Sequence, residues 1–218
     1  QACGVEIATG DTKVVGHGQA DGIYLNTTGL GEALPGFKLD PAAIAPGDLV
    51  LTSGTLAEHG VAVMAARNEI KLKNTPLSDT CPVHRLVLAL EELAPAVKFM
   101  RDPTRGGAAA VLNELTAGRP FGLEIEESAL PLSGAVKAVC EMLGLDALHA
   151  ASEGRLLAVC SAAAAAEILR RWQALPEGAG AVCIGQTTAE AGRVVLKTSS
   201  GGRRLIDWPQ GELLPRIC

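Results

Sequence analysis

One stretch decides the fold of this 218-residue chain: Val97-Lys98-Phe99-Met100-Arg101-Asp102-Pro103-Thr104-Arg105-Gly106-Gly107-Ala108-Ala109-Ala110-Val111-Leu112. Its first four residues predict a short buried strand, and residues 108–116 predict a helix rich in small and apolar side chains. A polar loop with two adjacent glycines joins them. Because strands and helices that alternate in this way build α/β domains, the stretch predicts that fold class.

The same alternation continues on both sides of this stretch. Strands are predicted at 48–52, 121–125, 155–160 and 181–186, and helices at 58–68, 83–93, 134–143 and 162–174. Residues 193–198 and 203–208 predict a closing hairpin that turns at 199–202. Since crossovers and a hairpin both occur, we expect an α/β (α+β) fold with a mixed sheet. The expected core is drawn from these elements: Val50, Leu51, Val63, Leu86, Leu90, Met100, Leu112, Leu157, Val159 and Ile184.

The segment before residue 43 has a different pattern. It holds two short β-type runs, at 5–7 and 23–26, and Gln1 is not a start methionine. We therefore expect residues 1–42 to be the end of a β-rich domain whose upstream part is absent. Prolines around this point place the boundary near residue 42, with an α/β domain over 43–208 and a flexible tail over 209–218.

Composition excludes several classes of protein. The net charge is −5 and aromatic residues make up 3%, whereas a nucleic-acid groove needs basic stripes and stacking rings. No apolar run approaches about 18 residues, so no membrane span is predicted. The six cysteines form no CxxC pair, which indicates a reduced, cytoplasmic protein. Cys140, Cys160 and Cys183 lie among apolar residues and are expected to pack as small hydrophobic side chains.

Two polar stretches could hold a ligand. In the loop between strand and helix, Asp102, Thr104, Arg105, Gly106 and Gly107 lie where helix N–H groups converge on an anion, so phosphate is the natural ligand. The alternative is a charged loop capped by Asp102 or Thr104. The earlier stretch Gly10-Asp11-Thr12-Lys13 brings an acid, a hydroxyl and an ammonium together within one turn. By itself this second pattern is also typical of an ordinary surface turn.

Two further features involve a carboxylate and a thiol. Ser152-Glu153-Gly154 lies just before a predicted strand, where a carboxylate can act as a base, although single glutamates are usually only solvated. Cys218 is the last residue and follows a segment with two prolines and a glycine, which cannot be helical. A thiol on an extended arm is suited to carry a group into a cleft, and an accidental cysteine at a disordered end is the alternative.

Together these motifs resemble the HypE family of nickel–iron hydrogenase maturation proteins, members of the PurM-like, AIR synthase-related superfamily. The resemblance covers essentially the whole chain and rests on Gly10-Asp11-Thr12-Lys13-Val14-Val15, Asp21-Gly22-Ile23, residues 100–107, residues 140–146, Glu153-Gly154 and the ending Leu214-Pro215-Arg216-Ile217-Cys218. Two motifs depart from the family pattern. The usual Gly-Asp-His-Gly is Ala57-Glu58-His59-Gly60 here, and the usual Asn-Glu-Gly is Ser152-Glu153-Gly154.

The resemblance implies a PurM-like C-terminal domain preceded by a remnant of an ATP-binding domain, and an ATP-dependent carbamoyl dehydratase. The family's terminal cysteine, here Cys218, receives a carbamoyl group from the carbamoyltransferase HypF. ATP then drives its dehydration to a thiocyanate, and the cyano group passes to iron held by HypC and HypD. In this reaction a cation must stabilise the charge that develops on the phosphate and the carbonyl oxygen, which fits Lys13 as electrostatic stabiliser. A carboxylate must take the proton from nitrogen, which fits Glu153 as general base.

The resemblance also implies a homodimer and the cofactors ATP and Mg²⁺. Residues expected to bind ATP are Asp11, Thr12, Asp102, Thr104, Arg105, Gly106 and Gly107, and the metal ligands are unknown. We expect the 218-residue chain to be inactive alone, since phosphoryl transfer depends on a bound metal ion and precise positioning. Two alternatives remain: a catalytically silent carrier or docking module, and a superfamily synthetase or kinase that acts on a free small molecule.

Overall fold

The computed structural model describes residues 3–70 and 76–209. The chain divides into two compact units, Gln1–Pro35 and Gly36–Cys218. Among the described residues no helix is long and apolar enough to cross a membrane. The boundary near residue 42, the α/β domain over 43–208 and the tail over 209–218 remain predictions.

The second unit is built on a seven-stranded mixed sheet of order β2-β4-β1-β5-β3-β6-β7. Its strands are β1 Leu49–Thr52, β2 Val97–Arg101, β3 Gly122–Glu126, β4 Leu157–Cys160, β5 Val182–Thr188, β6 Val194–Lys197 and β7 Arg203–Leu205. Neighbouring strands are antiparallel except β3 and β6, which are parallel. The predicted α/β class with a mixed sheet is confirmed.

Helices cover both faces of this sheet. They are α1 Glu58–Arg67, α2 His84–Leu88, α3 Gly107–Thr116, α4 Gly134–Leu143 and α5 Ala162–Gln173. Short 3-10 helices lie at Pro41–Ala43, Glu91–Ala96, Glu127–Ala129, Ala147–His149 and Pro176–Gly178. The predicted helix at 83–93 is wrong beyond Leu88, because Pro95 lacks the N–H that an α-helix needs and disfavours helical geometry in the residue before it.

The strands alternate their side chains between two apolar layers. Leu157 and Val159 of β4 pack with Leu112 of α3, while Ala158 and Cys160 pack on the other face with Trp172 of α5. A period of two places successive side chains on opposite faces, so a strand buried on both faces is apolar throughout. A third apolar cluster joins α1 to α4.

Most of the predicted core is buried as expected. Val50, Leu51, Leu86, Leu90, Leu112, Leu157, Val159 and Ile184 are buried. Val63 and Met100 are only half-buried, because they lie at the margins of the packed faces. Cys140 and Cys160 are buried and Cys183 is half-buried. Burial raises the pKa of the Cys160 thiol to about 12, so this thiol stays protonated and packs as a small apolar group.

The first unit has no helix or strand over residues 3–35. The strands predicted at 5–7 and 23–26 are therefore wrong as regular elements. A short β-branched run forms a strand only when its backbone groups find a partner strand, and the described part of this unit provides none. Val5, Ile7, Ile23 and Leu25 are exposed instead.

Candidate functional site

The backbone around Glu153 makes a hydrogen bond at each of three consecutive residues. The N–H of Ser152 donates to the Pro103 carbonyl at 3.0 Å, and the N–H of Glu153 donates to Oδ1 of Asp79 at 2.9 Å. The carbonyl of Gly154 accepts from the Cys81 thiol at 3.2 Å. These bonds fix the segment just before β4 enters the sheet.

The Glu153 carboxylate itself is unengaged. Among residues 3–70 and 76–209 it makes no hydrogen bond or ion pair, and the residue is half-buried. Both carboxylate oxygens are therefore open to a hydrogen-bond donor of a bound molecule. The geometry is thus compatible with a base at Glu153.

Asp79 is buried beneath this segment. Its Oδ1 accepts the Glu153 N–H at 2.9 Å, and its Oδ2 has no hydrogen-bond partner among the described residues. Loss of solvation on burial raises the pKa of Asp79 above its ordinary value of 3.8, against the opposing effects of the Glu153 N–H and the Arg155 charge. Asp79 is therefore a buried carboxyl group that is anchored to the Glu153 backbone.

Two of the three positions that depart from the motifs quoted above, Ala57 and Ser152, contact each other. The Ala57 N–H donates to Oγ of Ser152 at 2.9 Å. Ala57 has a φ of 72°, the left-handed region where glycine is unstrained and alanine is not. Ser152 thus still supplies a polar side chain to the start of α1, in the place of the family's asparagine.

Arg155 links the end of this segment to the residues just before α1. It donates to the Thr55 carbonyl at 3.0 Å and to the Gly154 carbonyl at 3.1 Å, and its guanidinium lies 4.0 Å from Glu58. A Cβ at Gly154 would lie 2.5 Å from the backbone nitrogen of Cys81. Only glycine allows the loop that carries Asp79 and Cys81 to pack this closely.

The predicted phosphate loop adopts the expected strand–loop–helix form. Residue Asp102 follows β2, Gly106 caps α3, and the helix has neither a side-chain cap nor an acidic residue in its first turn. Gly106 and Gly107 have φ values of 72° and 62°. A Cβ at Gly107 would meet the carbonyl oxygens of Leu148 and Ala150, so packing against Ala147–His149 explains this glycine without a ligand.

The structure brings some of the predicted site residues together. The loop that carries Thr104 lies beside the segment that carries Glu153, since the N–H of Ser152 donates to the Pro103 carbonyl. Asp11, Thr12 and Lys13 are exposed and belong to the first unit, where the Thr12 N–H donates to the Asp11 side chain at 2.8 Å. Cys218, the predicted acceptor of the carbamoyl group, lies outside the described residues. The roles of all these residues remain predictions.

Sequence reasoning missed three residues of the site, namely Asp79, Cys81 and Arg155. Asp79 lies between Ser78 and Thr80 in a polar run with no regular structure, and such a run is a weak signal on its own. In the structure, Oγ of Ser78 hydrogen-bonds Nδ1 of His59 at 2.7 Å, and Nε2 of that histidine is buried without a partner among the described residues. The contacts join positions too far apart in sequence for a local pattern to reveal them.

Comparison with known proteins identifies the family. Residues 45–197 match the model for AIR synthase related protein, C-terminal domain. The chain belongs to the AIR synthase-related family. Among curated relatives, the carbamoyl dehydratase HypE of Cupriavidus necator is 44% identical over 217 residues, covering 99% of this chain and 62% of the relative. The carbamoyl dehydratase HypE of Rhodobacter capsulatus is 44% identical over 219 residues, covering 100% and 64%.

Solved structures agree with these sequence relatives. Escherichia coli HypE is 40% identical with a TM-score of 0.77, covering 82% of this AIR synthase-related chain and 55% of that one. HypE in a HypE–HypF complex is 38% identical at a TM-score of 0.74, with 78% and 55% covered. HypE in complex with ATP is 33% identical at 0.76, with 82% and 55% covered.

These comparisons confirm the resemblance to HypE and the PurM-like, AIR synthase-related fold that the motifs imply. The chain spans slightly under two thirds of the length of the curated relatives it matches.

Proposed function

We propose that the protein containing this chain is an ATP-dependent carbamoyl dehydratase that converts an S-carbamoyl group on Cys218 into a thiocyanate, which supplies cyanide for hydrogenase maturation. The observation that carries the proposal is Glu153, with an anchored backbone and an unengaged carboxylate among the described residues. Relatives named carbamoyl dehydratase HypE, 44% identical across nearly the whole chain, support it.

The reaction needs a better leaving group than hydroxide. The carbonyl oxygen of the thiocarbamate attacks the terminal phosphorus of ATP, ADP leaves, and one N–H proton is lost as the carbon–nitrogen bond becomes double. Loss of the second N–H proton forms the nitrile and expels the oxygen as phosphate. Both protons leave nitrogen, so the site needs a base that can reach that atom.

Two residues fit these demands. Glu153 takes a proton from nitrogen, and the held backbone keeps its carboxylate at one place. Lys13 carries a charge that can stabilise the oxygen and phosphate as negative charge develops. Cys218, which lies outside the described residues, is the proposed acceptor thiol.

ATP phosphates are assigned to the start of α3, because that helix end lacks both a cap and an acidic side chain. Thr104 and Arg105 precede it, and Asp102, Gly106 and Gly107 complete the loop; Asp11 and Thr12 of the first unit are proposed to assist. Residues 3–70 and 76–209 contain no group of three or more His, Cys, Asp or Glu side chains able to hold a metal ion. Because Mg²⁺ is usually bound by one or two carboxylates together with substrate phosphates and water, Mg²⁺ is proposed here only as the ion that accompanies ATP.

The proposal extends to partners. HypF is the proposed carbamoyl donor, supported by a related HypE solved in a HypE–HypF complex. HypC and HypD are the proposed cyanide acceptors, and the protein is proposed to be a cytoplasmic homodimer.

Mass spectrometry of the C-terminal peptide tests this function in the complete gene product. With Glu153→Gln, the base is lost while the shape is kept, so the carbamoyl adduct should accumulate without losing water. Lys13→Ala should slow the ATP-dependent step, and Cys218→Ser should abolish modification. The matched control is Cys183→Ala, which should leave carbamoylation and dehydration unchanged.

Other outcomes favour the alternatives. Full activity of Cys218→Ser on a free small molecule would replace the proposal with a synthetase or kinase. Carbamoylation of the wild-type protein without any ATP-dependent loss of water would leave only a carrier or docking module.

A further inference from the structure

Asp79 accepts a hydrogen bond from the segment that carries Glu153. Oδ1 accepts the Glu153 N–H at 2.9 Å. The backbone of Asp79 also packs against the α-carbon of Gly154, since a Cβ there would meet its carbonyl oxygen. One residue of the 76–83 loop thus contacts two consecutive residues, Glu153 and Gly154.

This arrangement is costly for folding. Asp79 is 6% exposed, and its Oδ2 is buried without a hydrogen-bond partner among the described residues. A buried carboxylate with an unsatisfied oxygen lowers stability unless it is compensated, so folding alone does not account for an acid at this position. What the side chain supplies is an acceptor oxygen at this place, since Oδ1 accepts the Glu153 N–H.

The hydrogen bond from the Glu153 N–H to Asp79 matters because the Glu153 carboxylate has no partner of its own among the described residues. Because no described residue hydrogen-bonds the carboxylate, its position follows from the backbone of residue 153 and the side-chain rotamer. A displacement of about 1 Å between reacting groups can lower a rate by about a hundredfold. Whatever fixes this backbone therefore controls the proton transfer.

We propose that Asp79 is a positioning residue for the dehydration: its Oδ1 holds the Glu153 N–H and so fixes where the Glu153 carboxylate meets the substrate nitrogen. The inference rests on the proposed function. Asp79 touches neither substrate nor ATP in this scheme and acts through Glu153.

Kinetics of the complete gene product, carbamoylated on Cys218, provide the test. Asp79→Ala removes the acceptor, so the rate constant of thiocyanate formation should fall about tenfold or more while the KM for ATP changes less than about twofold. Asp79→Asn retains an acceptor oxygen and should restore the rate to within about threefold of wild type. If the alanine variant does not fold, Asp79→Ser replaces it, because its shorter hydroxyl fits the polar site without reaching the Glu153 N–H.

Asp48→Asn is the matched control. Asp48 is also 6% exposed and accepts a backbone N–H, from Ala45 at 2.8 Å, but it pairs with Lys98 and not with the site. It should alter stability without altering the rate constant. A purely structural role of Asp79 would give the same pattern as Asp48.

Amide hydrogen exchange at Glu153, measured without ATP, gives a readout that does not depend on turnover. Exchange should accelerate at least tenfold in Asp79→Ala and stay near the wild-type rate in Asp79→Asn. A folded alanine variant with a normal rate constant and normal exchange overturns the inference while the proposed function stands. A wild-type protein that forms no thiocyanate overturns the proposed function and, with it, this role of Asp79.

Discussion

At the scale of single residues, Ala57 shows how the chain accommodates a departure from its family's motif. Its φ of 72° is unfavourable for an L residue by about 1 kcal/mol, and the side chain is fully buried. The N–H bond to Ser152 and packing between α1 and α4 hold it in place. The sequence shows which residue replaces glycine, but not that the glycine conformation is retained.

Ala57→Gly should change the free energy of unfolding by less than about 1 kcal/mol, since relief of about 1 kcal/mol of strain offsets the loss of a buried methyl worth about 0.8 kcal/mol. Ala109→Gly is the matched control, because Ala109 is equally buried but helical. There the lost methyl and the lower helix propensity add, giving about 2 kcal/mol of destabilisation. Urea denaturation measures both, and equal losses would contradict the strain at Ala57.

The buried carboxyl group of Asp79 should make the stability of the protein depend on pH. Because burial raises the pKa of Asp79 in the folded state, its contribution to stability is fully present below its unfolded value of 3.8 and is lost as pH rises through the folded value. Asn carries no charge to desolvate. The free energy of unfolding of Asp79→Asn, relative to wild type, should therefore increase as pH is raised from about 3 to about 7. Denaturation at several pH values checks this, and a difference that shrinks with rising pH contradicts it.

At the scale of elements, α3 and α4 follow directly from their sequences. α4 begins and ends at the predicted residues, because the Ser133 side chain accepts the Val136 N–H at its start and Gly144 ends it with a φ of 66°. The helix predicted over 83–93 is longer than α2, because the apolar spacing continues past Leu88 while the backbone changes to a 3-10 helix at Glu91. Periodicity records which side chains are apolar, not which hydrogen-bond pattern a proline permits.

Gly107→Ala tests the start of α3. The alanine would need a φ of 62° and would place its Cβ 2.5 Å from the Ala150 carbonyl oxygen, so the free energy of unfolding should fall by about 3 kcal/mol. Gly134, at the start of α4, has open space around it, and Gly134→Ala should be neutral or stabilise by up to about 1 kcal/mol. Thermal unfolding of both variants distinguishes packing strain from a general intolerance of alanine at helix starts.

At the scale of the whole molecule, the sequence predicts the fold better than the site. Most strands and helices after residue 43 follow from local patterns, whereas the sheet order, the end of α2 and the absence of strands over residues 3–35 require the structure. The site depends on Asp79 contacting Glu153 and on Ala57 contacting Ser152, pairs separated by 74 and 95 residues. Glu153 could be inferred from a motif, whereas Asp79 had no motif and became visible only through these distant contacts.

Hydrogen exchange should separate the two units. Residues 3–35 form no helix or strand and have mostly exposed side chains, so their amides should exchange quickly. Amides of β1, β4 and β5, which pair in the centre of the sheet, should be the slowest. Mass spectrometry of peptides after timed exchange measures this order, and slow exchange over residues 3–35 together with a labile central sheet would reverse it.

The central place of β1 in the sheet matters while the chain is being made. Leu49 pairs with Cys160 on one side and Gln186 on the other, so its partners are synthesised 111 and 137 residues later. At about 5–20 residues per second, β1 is synthesised between about 7 and 27 seconds before both of its neighbours exist. During that interval an apolar strand, Leu49–Thr52, has two open edges. Nascent chains of this protein should thus depend on chaperones that bind early, before the second half of the sheet leaves the exit tunnel.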